Sequence, residues 1–246
     1  MAEGVSMRIF LAGASGAIGR RLTPLLRQAG HDITGMTRSA DTARELEAAG
    51  IQPAVVDVFD ADALKRAVAA ARPDVVMHQL TDLPRVLDDE AQLAAAYPRN
   101  ARIRTDGTRN LVAAAFAASA RRFIVQSVAF AYAPGKEPYI ETDPLNLVDG
   151  PRLVTVRAAA DMEQQVLKSG MEAIVLRYGL LYGPGTWTEG PSRKPPLHVD
   201  AAAHAALLAV THGETGIYNI ADEDGTVSID KARAELSFDP AFRLPA

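Results

Sequence analysis

Short apolar runs alternate with longer helical patterns along the first half of the chain. The runs predict strands over Met7–Ala12, Asp32–Thr37, Gln52–Asp57, Val75–His78 and Phe123–Gln126. Their nearly continuous apolar character is typical of strands that are buried on both faces of a parallel sheet. Between the strands, the pattern predicts helices over Ala17–Ala29, Thr42–Ala49, Asp60–Ala71 and, as one longer element, within Asp89–Ser119. This alternation predicts a doubly wound Rossmann-type α/β fold with right-handed crossovers.

The second half of the chain is less regular and richer in loops. Loops are predicted over Ala131–Gly150 and Gly183–Pro196, the second ending at Leu197–Asp200. The remaining predicted elements are helices at Leu153–Ser169, Ala201–Val210 and Ile229–Leu236 and strands at Ala173–Arg177 and Ile217–Ile220. No linker or internal repeat interrupts the pattern. The pattern therefore predicts that residues 1–246 form one domain, to which residues 178–246 contribute a small substrate-side lobe.

Composition and charge exclude several classes of function. The chain has 246 residues, 26 basic and 30 acidic side chains and a net charge of -4, which does not favour a nucleic-acid partner. Because it has no cysteine, disulfides, thiolate catalysis and cysteine–metal sites are excluded, and we expect no metal centre. No apolar run approaches the ~18 residues of a membrane span, and the first residues lack the features of a signal peptide. We expect a cytoplasmic protein without membrane contact.

A glycine-rich segment, Gly13-Ala-Ser-Gly16-Ala-Ile-Gly19, directly follows the first strand and opens the first helix. Gly13 permits a tight turn, Gly16 lets a pyrophosphate approach the backbone, and Gly19 allows close packing of the helix. The helix N-terminus then offers free N–H groups to the phosphates. The segment predicts a dinucleotide site whose phosphate-binding residues are Gly13, Ser15, Gly16, Ala17, Ile18 and Gly19.

The end of the second strand favours NADP over NAD. NAD-specific sites of this kind place a carboxylate there to bind the ribose 2′-hydroxyl, whereas this strand ends in Thr37-Arg38-Ser39. Arg38 is suited to pair with a 2′-phosphate, and the two hydroxyls can donate to it. A solvated arginine ahead of a helix is the simpler alternative, so NAD stays open.

Further cofactor contacts are predicted where the other strands end. Asp57 and Val58 follow the third strand, where Asp57 either contacts the adenine amino group or caps the next helix. The backbone of Gln79, Leu80 and Thr81 should skirt the cofactor beyond the fourth strand, while His78 is interpreted as a structural residue. Gln126, Ser127, Tyr178 and Gly179, at the ends of the fifth and sixth strands, complete the predicted set.

Several segments together resemble the extended and atypical short-chain dehydrogenase/reductase superfamily, which contains sugar-nucleotide epimerases and dehydratases. Besides the glycine loop, these segments are Gly107-Thr-Arg-Asn-Leu111, Phe123-Ile-Val-Gln-Ser127, Leu176-Arg-Tyr-Gly179, Tyr182-Gly-Pro-Gly185 and His198-Val-Asp200. The resemblance covers nearly the whole chain. It implies a nicotinamide cofactor bound at the glycine loop.

The residues that carry the superfamily's chemistry are not at their usual places. The resemblance implies a Ser or Thr after the fifth strand and a Tyr-x-x-x-Lys pair on the next helix, but the aligned positions hold Val128, Thr155 and Ala159. The literal match Tyr132-Ala-Pro-Gly-Lys136 contains helix breakers and is interpreted as a decoy. Ser127 and Tyr132 remain the candidate catalytic residues, although Tyr132 is equally well explained as a packed loop aromatic.

On the fourth helix, Arg104 stands where many relatives have Asn. It either faces the pyrophosphate or bonds to the backbone of the fifth strand.

Trp187 either walls the substrate pocket or packs beneath it, and the loop cations Arg193 and Lys194 either steer an acidic substrate or are solvated. The two helices corresponding to Asp89–Ser119 and Leu153–Ser169 form the dimer face of many relatives, so a homodimer is a further expectation.

The sequence thus favours an NADP-dependent oxidoreductase that acts on a small carbonyl or alcohol. A non-catalytic NADP sensor is the main alternative, since loss of the proton-transfer residues with retention of the phosphate loop is expected of one. Sugar-nucleotide epimerisation or dehydration is disfavoured because that chemistry normally uses the missing phenol.

Overall fold

A computed structural model describes residues 6–84, 90–150 and 152–245. The elements of the first half are β1 Arg8–Ala12, α1 Ala17–Gln28, β2 Asp32–Thr37, α2 Ala40–Ala48, β3 Gln52–Val55, α3 Ala61–Ala71, β4 Val75–His78, α4 Glu90–Arg102, a π-helical turn Ile103–Gly107, α5 Thr108–Ala117 and β5 Arg122–Val128. The second half contains α6 Leu153–Leu167, β6 Glu172–Tyr178, β7 Leu180–Tyr182, β8 Pro196–His198, α7 Val199–Leu208, β9 Gly216–Ile220 and α8 Asp230–Leu236.

Seven parallel strands form the main sheet in the order β3-β2-β1-β4-β5-β6-β9. Helices cover both faces, as doubly wound sheets require. Leu22 and Leu26 of α1 and the small residues of α7 belong to the core of one face, and Leu64 of α3 and Met162 of α6 to that of the other. The predicted Rossmann-type fold is confirmed.

The long helix predicted within Asp89–Ser119 is divided by the π-helical turn. Asp89 itself lies outside the described residues. The turn ends at Gly107, where an added Cβ would meet Val58 Cγ2 at 3.3 Å, so this helix passes very close to the loop after β3. π-helical turns are frequent at functional sites, and this one carries the buried Arg104.

The predicted loop Gly183–Pro196 ends earlier than expected, because Pro196–His198 forms a strand. It pairs in parallel with Leu180–Tyr182, outside the main sheet. Val199 and Asp200 then begin α7 rather than closing a loop. Of residues 178–246, α7 and β9 are thus part of the layers of the main fold, and the β7–β8 pair lies beside them.

Candidate functional site

The strand order reverses at β1, which places a crevice between the ends of β1 and β4. In the β1–β4 register Ala12 lies opposite His78, so Gly13 and Gln79 are the first residues beyond the sheet on either side of the crevice. Open parallel sheets bind their ligands at such reversal points, outside the carboxyl ends of the strands.

The glycine loop lies directly against this crevice. Gly13 has a φ of +102°, and a Cβ there would lie 2.6 Å from the Gln79 backbone. At Gly19 a Cβ would lie 2.2 Å from the Gly13 carbonyl oxygen. Both positions therefore require glycine so that the turn, the helix and the loop after β4 can meet.

Gly16 differs, since the nearest heavy atom to an added Cβ is Gly13 O at 3.4 Å. Gly16 is the N-cap of α1, makes no side-chain capping bond, and is followed by no acidic residue in the first turn. The first N–H groups of the helix consequently face an open, uncapped cradle. Such a cradle fits the diphosphate of a dinucleotide.

Unpartnered polar atoms lie beside the cradle. The side-chain N and O of Gln79 and the hydroxyl of Tyr178 are buried and make no hydrogen bond within the described parts of the chain. Burial raises the pKa of Tyr178, and the Gln79 side chain, which lies close to the hydroxyl, opposes that rise. Buried polar groups normally have partners, so these three atoms fit a bound polar ligand at the ends of β4 and β6.

At the end of β2, Arg38 is 61% exposed and its guanidinium lies 4.0 Å from Asp82 Oδ1. Thr37 Oγ1 accepts from Ser39 N at 3.2 Å, and Ser39 Oγ accepts from Thr42 N at 3.3 Å, which caps α2. Because both hydroxyls act as acceptors in these bonds, their own protons remain available to a ligand. The predicted roles of these residues stay predictions.

Asp57 does not cap the following helix. Its Oδ1 accepts from Phe59 N at 2.9 Å, while Asp60 accepts from Ala63 N at 3.0 Å and is the N-cap of α3. Val58 is buried against the π-helical turn. Of the two interpretations of Asp57, the contact with adenine therefore remains.

His78 is a buried structural histidine. Its Nδ1 accepts from Leu80 N at 3.2 Å and its Nε2 lies 3.1 Å from Thr108 Oγ1. Burial, reinforced by the positive charge of Arg104, lowers the pKa of His78 to about 3. The imidazole is therefore neutral and holds the start of the loop after β4, as the sequence suggested.

Arg104 points toward α6, which neither sequence interpretation anticipated. Only 6% of the residue is exposed, and its Nη1 donates to the Thr155 carbonyl at 3.3 Å. Burial lowers the pKa of Arg104 to about 10, and the charge of Glu163 opposes that shift. The resemblance in sequence aligned Thr155 with the tyrosine of the superfamily's pair, so a buried cation from the π-helical turn contacts the backbone at that aligned position.

Both candidate catalytic hydroxyls are engaged at the end of β5. Ser127 Oγ donates to Glu163 Oε1 at 2.6 Å. The Tyr132 hydroxyl donates to Asn219 Oδ1 at 2.6 Å and accepts from Arg177 Nη1 at 3.0 Å, and burial raises its pKa. Both hydroxyl protons therefore point at acceptors within the protein, and the catalytic roles of Ser127 and Tyr132 stay predictions. Lys136 lies with Tyr132 in an irregular loop, so the two residues are not one turn apart on a helix.

A buried ion pair organises this region. Arg177 of β6 makes two bonds to Glu163 of α6, at 2.9 and 2.7 Å. The same guanidinium donates to the Glu141 carbonyl at 3.1 Å, so it also fixes the loop after β5. Nothing in the spacing of these residues along the chain signals the pair.

A cleft lies beyond β5. Its volume is about 150 Å³, and its lining includes Phe130, Tyr132, Tyr139, Arg152 and Lys194. Trp187 donates from Nε1 to the Pro84 carbonyl at 2.8 Å, so the loop after β7 reaches the loop after β4, while the two interpretations of Trp187 at the pocket stay open. Sequence reasoning missed Phe130, Tyr139 and Arg152, which come from separate segments.

The His198-Val199-Asp200 segment has a structural role. Asp200 accepts two bonds from Arg21 of α1, at 2.5 and 3.1 Å, and His198 Nδ1 accepts from Asp200 N to cap α7. Gly183 packs against the His198 ring, where a Cβ would lie 2.6 Å from Nε2. The segment therefore joins α7 and the β7–β8 pair to the rest of the fold.

Within residues 6–84, 90–150 and 152–245, no group of three or more His, Asp or Glu side chains is arranged to hold a metal ion. In the same part of the chain, no helix has the length and apolar character needed to cross a membrane.

Comparison with known proteins agrees with this geometry. A 3-diazoavenalumate denitrifying reductase from Streptomyces sp. is 40% identical over 240 residues, covering 89% of this chain and 77% of that protein. The fold matches UDP-glucose 4-epimerase from Thermotoga maritima with UDP-glucose, with TM-score 0.77, 17% identity and coverage of 96% of this chain and 94% of the other. It also matches the Thermus thermophilus UDP-glucose 4-epimerase complex with NAD, with TM-score 0.74, 20% identity and coverage of 97% and 95%.

The family model that describes the NAD dependent epimerase/dehydratase family matches residues 9–215. This span contains the glycine loop, the π-helical turn and the ends of β4, β5 and β6. The chain belongs to the NAD dependent epimerase/dehydratase family.

Proposed function

We propose that this protein is an NADP(H)-dependent reductase whose substrate does not need a proton from a tyrosine on α6. One observation carries the proposal: the phosphate cradle is complete, whereas Thr155 and Ala159 occupy the positions of the usual tyrosine and lysine. Bound NADPH would supply a hydride. The protein's own residues bind and orient the two reactants, which can provide a large part of a rate enhancement.

The missing phenol limits the class of acceptor. Reduction of a carbonyl forms an alkoxide, which general acids normally protonate, but Ser127 and Tyr132 are both held in other hydrogen bonds. Hydride addition to an arenediazonium ion needs no such proton. The arene gains the hydride, the carbon–nitrogen bond breaks, and N2 leaves in the balance Ar–N2⁺ + H⁻ → Ar–H + N2. The name of the relative with 40% identity, a diazo-compound denitrifying reductase, supports this class.

In the test, the protein is mixed with NADPH that carries deuterium at the transferred position. Arenediazonium salts, aldehydes, ketones and quinones are then added as possible acceptors. Oxidation of NADPH, release of N2 and deuterium in the arene are measured against a protein-free control, because diazonium ions also react without catalysts. We expect protein-dependent reduction of the diazonium salts alone. Reduction of carbonyls would show that the acceptor class is wrong, and tight NADPH binding without any turnover would support a non-catalytic sensor instead.

The cofactor is proposed to lie along the carboxyl ends of the strands. The cradle at Gly13–Gly19 would hold the diphosphate, and Asp57 and Val58 would contact the adenine. The remaining proposed contacts at the cofactor are Gln79, Leu80, Thr81, Gln126, Tyr178 and Gly179. The unpartnered atoms of Gln79 and Tyr178 support this placement.

Arg38 is proposed to bind the 2′-phosphate of NADP. Arg38→Ala should weaken NADPH binding by ~1–3 kcal/mol through loss of a charge-assisted pair, and should leave NADH binding nearly unchanged. Titration of each nucleotide by the fluorescence of the reduced nicotinamide measures both affinities. Equal weakening of NADPH and NADH would remove the case for a 2′-phosphate site.

A homodimer through α5 and α6 is also proposed. Phe116 of α5 is 65% exposed and lines a groove with Val112 and Ala113, and the small residues allow a second copy to approach closely. Light scattering should give twice the chain mass of 26.2 kDa for the wild type and the mass of a single chain for Phe116→Asp. Val55→Asp, at an exposed valine on β3, is the matched control and should stay dimeric. A wild-type monomer would contradict the proposal.

A further inference from the structure

The cleft beyond β5 has an aromatic wall. The rings of Tyr132 and Tyr139 stack with centroids 5.1 Å apart and an interplanar angle of 5°, and Phe130 lines the same space. With a volume of about 150 Å³, the cleft suits a single aromatic ring rather than a nucleotide sugar, since drug-sized ligands occupy roughly 300–1,000 Å³. Flat rings pack favourably against such walls.

An arginine without an acidic partner lies at this cleft. The Arg152 guanidinium is 4.5 Å from the centroid of the Phe130 ring, and within the described residues it makes no hydrogen bond or ion pair. Burial lowers the pKa of Arg152, the Tyr97 phenol opposes that shift, and the nearby charge of Arg193 adds to it. A partly desolvated guanidinium retains unused donors that suit a carboxylate.

The charge around Arg152 is positive, although the chain as a whole has a net charge of -4. Lys194 also lines the cleft, 3.6 Å from Asp224, and Arg193 adjoins it in the chain. Three cations, Arg152, Arg193 and Lys194, thus outnumber the single carboxylate of Asp224. A local surplus of this sign attracts an anionic ligand.

We propose that this cleft binds an aromatic carboxylic acid, with its ring against Phe130 and the stacked tyrosines and its carboxylate on Arg152. Lys194 contributes charge at the rim. The inference rests on the proposed function, because the acid would be the hydride acceptor of the same site. The cleft lining includes Ala129, which directly follows β5, so a ring held there would lie at the same carboxyl edge of the sheet as the cofactor crevice.

Binding is tested without turnover, with the protein saturated with NADP⁺. The probes are 4-hydroxycinnamate and its neutral amide, which have the same ring but differ in charge, and calorimetry measures both affinities. We expect the acid to bind about tenfold or more tightly than the amide, because only the carboxylate forms the charged pair. Equal affinities would overturn the proposal.

Arg152→Gln should weaken binding of the acid about tenfold or more and leave binding of the amide unchanged, while Arg152→Lys should retain part of the preference. Arg66→Gln is the matched control, because it removes the same charge from an exposed position on α3. A melting curve of each variant separates loss of binding from loss of folding. Unchanged affinity for the acid in Arg152→Gln would overturn the proposal, as would binding of UDP that depends on Arg152.

The two proposals fail in different ways. Acid binding that depends on Arg152, without reduction of any diazonium salt, would leave the anion subsite in place and remove the proposed reaction. Protein-dependent reduction of arenediazonium ions that lack a carboxylate, with no binding of the acid, would remove the subsite and leave the reaction.

Discussion

Glu163→Ala is expected to lower the melting temperature on the order of 10 °C. The substitution leaves Arg177 buried without its carboxylate, since both side chains are at most 5% exposed. Breaking one half of a buried pair costs about 3–5 kcal/mol, and each kcal/mol shifts the midpoint by roughly 2–4 °C for a chain of this size. The same change frees Ser127 and loosens the loop held by Arg177, so the substrate cleft should also be disturbed.

The control is the exposed pair between Glu223 and Arg233, which has the same two-bond geometry at 2.7 Å. Because water and salt screen that pair, Glu223→Ala should leave the melting temperature unchanged. The double variant Glu163→Leu with Arg177→Met should recover much of the loss, since it removes both buried charges. Equal melting temperatures for Glu163→Ala and Glu223→Ala would contradict this account of the buried pair.

Gly19→Ala is expected to have a comparably large effect on folding. The new methyl group would lie 2.2 Å from the Gly13 carbonyl oxygen and 2.6 Å from the Ala14 carbonyl. Backbone atoms cannot rotate away, so α1 must shift from the turn, and overpacking of this kind costs roughly 1–3 kcal/mol or more. Denaturant unfolding of the variant should show a lower midpoint.

Gly190→Ala is the matched control for Gly19→Ala. At Gly190 an added Cβ meets nothing within 4 Å and the backbone conformation is not left-handed. The same chemical change should therefore leave the unfolding midpoint in place. A midpoint for Gly19→Ala as high as that of Gly190→Ala would show that the turn is looser than the structure indicates.

Local patterns predicted most of the fold. The apolar runs identified the first five strands, of which β4 is buried along its whole length while β3, at the edge of the sheet, is not, and the spacing of Gly13, Gly16 and Gly19 identified the turn that these glycines make. The absence of the tyrosine and lysine was also visible from the sequence, because the next helix contains no tyrosine. These features depend on residues that are close together in the chain.

Features that depend on distant residues were not predictable. The π-helical turn inserts into a helix without disturbing its apolar pattern, and Pro196–His198 is too short and proline-bearing to resemble a strand. The contact of Arg104 with Thr155 and the pair of Glu163 with Arg177 join different elements. Arg152 and Phe130 likewise meet only after folding, so no spacing in the sequence revealed the cleft that they line.

The central claim is that a dinucleotide diphosphate lies against the start of α1, and Gly16→Ala tests it directly. An added Cβ at Gly16 has Gly13 O at 3.4 Å as its nearest neighbour, so the variant should fold with an unchanged melting temperature. Its methyl group would stand where the diphosphate approaches the backbone. Titration should show tight NADPH binding to the wild type and binding about tenfold or more weaker to the folded variant. Equal NADPH affinities for the two proteins, or no binding to the wild type, would contradict the account.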